Sequence, residues 1–172
     1  MRPEVGFILM ILEGVVDAQP ADHPLFRIDR DNSRVFETGD GLDMQQPLRT
    51  RRADLERANL VGAAWTSRDQ TPVDPQYDLK GDIVVSVRVE GLTALSGQHG
   101  HIDPDEDHGV SFVALCDDIR SAILGERVFP DHPAFGDTKT DLRVMNEDDR
   151  SAQYRDFYQY DFDVVFNFRE RP

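Results

Sequence analysis

Between residues 99 and 108 the chain reads His99-Gly-His101-Ile-Asp103-Pro-Asp105-Glu-Asp107-His108. Imidazole nitrogens and carboxylate oxygens are the donors that zinc and other divalent ions take. His99, His101 and Asp103 are therefore the candidate metal ligands. The other groups with chemical potential are sparse. Cys116 is the single cysteine, so it can form neither an intrachain disulfide nor a Cys-based zinc site. It lies in an apolar run, where a buried and inert thiol is expected. No Gly-x-Ser-x-Gly elbow occurs. Gly39-Asp-Gly41 lacks the third glycine and the following lysine of a phosphate-binding loop.

The 99–108 segment half-resembles the metallo-β-lactamase motif His-x-His-x-Asp-His. His99, His101 and Asp103 match it, but Pro104 stands where the last histidine belongs. The chain is short for that fold, and only His132 remains downstream as a further ligand. In a chain this rich in Asp, a His/Asp loop is more often a hydrated, cation-rich surface. The sequence reading therefore assigns no catalytic residue, metal or cofactor. A small divalent-metal-dependent hydrolase using His99, His101 and Asp103 stands as the alternative.

Composition narrows the classes further. The 172 residues fit one domain able to bury a sizeable core. The net charge is −14, and it is built from 24 Asp and 9 Glu against 17 Arg and only two lysines, Lys80 and Lys139. Asp holds water and cations without burying methylenes, whereas a lysine stem adds apolar surface that concentrated salt makes sticky. At molar salt the Debye length falls to about 3 Å, which screens the repulsion among surface carboxylates. The skew points to a salt-adapted source. Acidity also argues against broad nucleic-acid binding, which is dominated by neutralised phosphates, and no sequence-specific nucleic-acid partner is expected. A local exception is Arg49, Arg51, Arg52 and Arg57, with Asp54 and Glu56 among them, which reads as an intersubunit or intrachain ion-pair site with a phosphate-binding patch as the alternative. No apolar run approaches the roughly 20 residues of a membrane span. Phe7–Leu12 is broken by Glu13 and lacks a small-x-small cleavage site, which argues against a signal peptide.

The elements that must position these groups follow from periodicity. Pro3 and Glu4 suit a first helical turn, and Val5, Ile8, Leu12 and Val15 recur at helical spacing, which predicts a helix over about 4–17. Residues 25–28 and 34–37 read as short strands about Asp31-Asn32-Ser33. Residues 59–67 read as a strand, with a polar connection over 70–80. Asp82 to Glu90 alternates β-branched residues at period two. A second helix is predicted over about 109–124, capped by Asp105 or Asp107 and closed by Gly125 as its C′ residue. Residues 142–145 read as a short strand and 148–150 as a turn. Tyr154 to Arg169 alternates aromatic and polar residues in one long strand. At about 3.3 Å per residue it exceeds what a small domain needs, so a bulge or a projecting end is expected. The fold class is α+β: a single domain with a mostly antiparallel mixed sheet flanked by two main helices.

That order of elements resembles the tail terminator and tail-completion (neck) proteins of long-tailed viruses of bacteria and archaea. The resemblance rests on Gly81-Asp-Ile-Val-Val-Ser-Val-Arg-Val-Glu90, Phe112 to Leu124, Tyr154 to Arg169 and the N-terminal helix, about half the chain. It implies a structural protein of the virion, assembled in the host cytoplasm and not an enzyme. Its partners would be further copies of itself in a six-fold ring, the tail tube protein and the head-side connector. Combined with the salt-adapted composition, it implies a virus of a haloarchaeon. On this reading Arg49, Arg51, Arg52, Arg57, Tyr158 and Tyr160 are the expected subunit or partner contacts. A halophilic host protein with a binding function is the third class the sequence allows.

Overall fold

The computed structural model describes residues 2–18, 25–29, 34–36, 59–73, 78–92, 112–126, 139–153 and 157–170. Helix α1 (Pro3–Asp17) begins as the sequence requires. Arg2 is extended (φ −72°, ψ 142°), proline occupies the first turn, and Glu4 faces the positive end of the dipole. The predicted stripe of Val5, Ile8, Leu12 and Val15 is buried, joined by Phe7, Leu9 and Val16. Five further elements carry most of the remaining structure: β3 (Asn59–Pro72), β4 (Leu79–Leu92), α2 (Phe112–Gly125), β5 (Lys139–Asp149) and β6 (Phe157–Glu170). Two short strands precede them, β1 (Leu25–Asp29) and β2 (Arg34–Phe36).

All six strands form one sheet in the order β2-β1-β3-β4-β6-β5. The pairing of β1 with β3 is parallel and every other pairing is antiparallel. Strands β3, β4, β6 and β5 make an antiparallel four-stranded core, so the class is α+β with two helices, as the periodicity predicts.

One face of the sheet is dry. Ile83, Val85, Val87 and Val89 on β4 are at most 3% exposed. They stand opposite Phe166, Val164, Phe162 and Tyr160 of β6. Val61 and Ala63 of β3 extend this layer, and α1 and α2 cover it through Phe7, Ile8, Leu12, Leu115, Ile119 and Ile123. Phe7 meets Phe166 edge-on with centroids 6.1 Å apart. Burying each such side chain contributes about 1.5–3 kcal/mol. Cys116 lies in the same layer, 4% exposed. Burial pushes its thiol pKa well up, and the Asp149 and Asp117 charges push it further.

The central ladder is longer and more regular than expected. Fourteen successive pairs join β4 to β6, from Leu79–Glu170 to Leu92–Phe157, without a register shift. The anticipated bulge is absent from this pairing, because β4 is as long as β6 and leaves no end to project. The irregularities lie in the flanking strands instead: in β3 between Trp65 and Ser67, and in β5 between Lys139 and Asp141 and between Met145 and Asp148. Strand β3 also runs on to Pro72 and β4 starts at Leu79, so residues 70–72 and 79–80, read as connection, belong to the ladder. Ion pairs hold this polar end: Arg68 to Glu170 and Arg169 to Asp78, both at 2.6 Å. Gly81 answers to the same close approach. A Cβ there would sit 1.8 Å from the Asp69 carbonyl oxygen, a clash no backbone tolerates.

Three smaller expectations change as well. Strand β5 spans 139–149 rather than 142–145, and Asp148 and Asp149 still pair with Asp161 and Tyr160 where a turn was expected. The chain reverses just after, where the Arg150 N–H donates to the Gln159 carbonyl at 2.9 Å. Gly125 is the last helical residue of α2, not a left-handed C′ residue; the Glu126 N–H closes the helix on the Ile123 carbonyl at 3.1 Å. Residues 105–111, with the expected cap, and Tyr154–Asp156 lie outside the described residues. No described helix is long and apolar enough to cross a membrane.

Candidate functional site

The period-two alternation that buries one face of β4 and β6 sends polar side chains to the other, where no helix lies among the described elements. The register puts them opposite one another: Ser86 faces Asp163, Arg88 faces Asp161, and Asp82 faces Asn167. Each facing pair bonds. Ser86 Oγ donates to Asp163 Oδ1 at 2.6 Å. Arg88 grips Asp161 with both arms, Nε to Oδ1 at 2.6 Å and the terminal nitrogen to Oδ2 at 2.8 Å. Asn167 Nδ2 donates to Asp82 Oδ1. The row extends outward on both sides. Thr66 of β3 shares a hydrogen bond with Ser86 at 2.7 Å, and Arg143 of β5 reaches Asp82 at 2.9 Å.

The β5 bulge completes the site. One extra residue is accommodated between Met145 and Asp148, with Asn146 in the left-handed region at φ 54°. Asparagine tolerates that region because its short amide bonds locally; here its Nδ2 donates to Asp163 Oδ2 at 2.8 Å. The bulge also reverses the next side chain. Glu147 accepts from Tyr160 Oη at 2.7 Å and from Arg120 Nε of α2 at 2.5 Å, which ties the helix layer to the edge strand. A recess of about 460 Å³ results, lined by Ser86, Arg88, Asn146, Asp148, Asp161 and Asp163 among others.

Its electrostatics are those of a closed network. Burial pushes the Asp161 carboxyl up, but hydrogen bonds from Arg88 and Gln159 and the charges of Arg88 and Arg150 outweigh it and hold the group below the ordinary carboxylate value. The Tyr160 hydrogen bond and Arg120 keep Glu147 low against a smaller desolvation. Burial, then Glu147, raises the Tyr160 phenol. Both carboxylate oxygens of Asp161 and of Asp163 accept hydrogen bonds from protein donors. Ser86 donates to a carboxylate rather than to an imidazole, an arrangement that orders the face without activating a nucleophile. Among the described residues no three or more His, Cys, Asp or Glu are grouped to hold a metal ion.

The residues singled out from the sequence fall into two sets. His99, His101 and Asp103 lie outside the described residues, as do Arg49, Arg51, Arg52 and Arg57. Tyr158 and Tyr160 are described and face inward. Tyr158 is 7% exposed and packs on Phe112 with centroids 5.3 Å apart, and Tyr160 is half-buried beneath Glu147. The sequence reading missed the Ser86–Asp163 and Arg88–Asp161 pairs and the Asn146 bulge. Opposite polar types at alternate positions of the two strongest strands were the available signal, but only the register says which residues meet. No protein-family model matches this chain, and no curated protein matches it either.

Proposed function

We propose that the chain is a structural assembly subunit, a ring-forming tail terminator or tail-completion protein at the head–tail junction of a virion. The observation that carries the reading is how the four elements behind the resemblance close on one another. Helices α1 and α2 pack on one face of the fourteen-pair β4–β6 ladder and share a single core. The opposite face supports the same reading, because its polar groups bond to one another. A face of paired arginines and carboxylates suits a surface that stays ordered in concentrated salt, where long-range charge effects are screened. The proposed partners are further copies of the chain, a tail tube protein and a head-side connector.

The test is native mass measurement and negative-stain imaging of the purified protein in multimolar KCl, with metal content read on the same sample. Closed rings without stoichiometric metal are expected. A metal-loaded monomer would overturn the reading and direct attention to His99, His101 and Asp103.

A further inference from the structure

Strand β5 is attached to the sheet differently from the strand beside it. Of residues 141–149 only Leu142 is buried, Val144 is half-buried, and the other seven are exposed. Strand β6 by contrast buries seven residues, Phe162, Val164, Phe166 and Phe168 among them. Apolar burial is what makes a segment costly to open, and β5 has little of it. Its ladder to β6 is interrupted twice, between Lys139 and Asp141 and between Met145 and Asp148. On its far side no described strand pairs with it.

Polar ties hold the strand where packing does not. On the open face Arg143 bonds Asp82 and Asn146 bonds Asp163. On the helix side Glu147 accepts from both Tyr160 of β6 and Arg120 of α2, so one carboxylate joins strand, neighbour and helix. Beyond Asp149 the chain is pinned more firmly. Ser151 Oγ accepts from the Gln159 N–H at 3.1 Å, and the Arg150 N–H donates to the Gln159 carbonyl at 2.9 Å. Ser151 and Gln159 are 6% and 3% exposed, a dry anchor at the end of an exposed strand. We infer that β5 is a strap: it opens from β6 as one unit, turning about the Ser151–Gln159 anchor, with Glu147 as its clasp. Opening bares the outer edge of β6, a row of backbone donors and acceptors on which another strand can form. The β4–β6 ladder and both helices stay closed, because their buried residues pack on one another with only Leu142 and Val144 contributed by β5. This inference stands independently of the ring reading.

Native-state amide exchange of the full chain in multimolar KCl, followed by mass spectrometry at rising urea below the melting range, tests the strap. The amides of residues 141–149 should exchange at least about tenfold faster than those of residues 85–89 and 162–166. They should share one urea slope, shallower than that of the ladder because less surface is exposed. Glu147→Ala should speed β5 exchange about threefold to tenfold, the effect of removing a half-exposed charged hydrogen bond, and leave the ladder unchanged. Tyr160→Phe removes a single hydroxyl and should act in the same direction by less. Arg68→Ala breaks an equally exposed ion pair at the far end of the sheet and should leave β5 as it is. Protection of β5 equal to that of the ladder would overturn the inference, since the strand would then open only with the whole domain. Separate urea slopes for separate β5 amides would overturn it too, as the mark of fraying rather than of one unit. A β5 rate indifferent to both Glu147→Ala and Tyr160→Phe would remove the clasp and with it the proposal.

Discussion

The two faces of the β4–β6 ladder are made by the same strands taken at alternate residues, yet they are stabilised by different physics. On the helix side, contact is non-directional. Val85, Val87, Phe162 and Phe166 exclude water and pack, and removing one leaves a void. On the open side, each contact is directional, and removing one partner takes a specific bond from a network whose other members stay in place. The difference teaches that the apolar face provides most of the stability, while the polar face fixes register. A slip by one residue would set Ser86 and Arg88 against the wrong partners and send the valines to solvent.

The comparison breaks most sharply at Phe166. Phe166→Ala should cost about 3–5 kcal/mol in urea melts in multimolar KCl, because the ring is fully buried against Phe7. A loss below about 1 kcal/mol would mean the helix layer collapses readily and is not the source of stability. Arg88→Ala should cost less, about 1–3 kcal/mol, since it removes both guanidinium bonds from the partly buried Asp161 and leaves it the Gln159 amide and the Arg150 charge. A double-mutant cycle with Asp161→Ala should recover part of that loss, whereas additive effects would show that the pair does not act as a unit.

The third prediction is a pH slope. The Asp161 carboxyl is depressed in the folded state. Its contribution is fully present above the unfolded value of about 3.9 and is lost as pH falls through the lower folded value. Stability should therefore fall on acidification, and Asp161→Asn should flatten part of that slope. An unchanged slope would assign acid sensitivity to other carboxylates. The smallest effect is expected at Ser86→Ala, about 1 kcal/mol. It should be accompanied by faster amide exchange around Asn146, because Asp163 holds the bulge through its second oxygen.

The helices and the inner strand faces were legible because burial imposes periodicity. A shift of one position is not tolerated when Ile83, Val85, Val87 and Val89 must all be dry. The far end of β3 and the two ends of β5, beyond the 142–145 stretch that reads as a strand, were not legible, since many of their pairing residues are charged and their alternation is broken by bulges. Only a partner strand reveals them, as Asp148 against Asp161 shows. Length misled at β6, where a strand over Tyr154 to Arg169 looked excessive until the strand found, Phe157–Glu170, proved to be matched in full by an equally long β4. The polar site was half legible: its residue types were visible in Ser86, Arg88, Asp161 and Asp163, but the pairs exist only in register. Asn146 left no signal beyond being a residue that accepts a left-handed backbone.

The unbroken β4–β6 ladder also has a kinetic consequence. Arg88 and Asp161 are 73 positions apart, and Asp78 and Arg169 are 91 apart. The centre of the sheet is thus assembled from residues that are remote along the chain, with α2 and β5 lying between them. Such a topology carries a high contact order, and loop closure must be met before its contacts reward it. Folding should be slow for a domain of this size, with β4 exposing an apolar row until β6 arrives. Helices α1 and α2 both precede β6 along the chain and share the core with that row in the folded subunit, so both are available to shelter it during the wait.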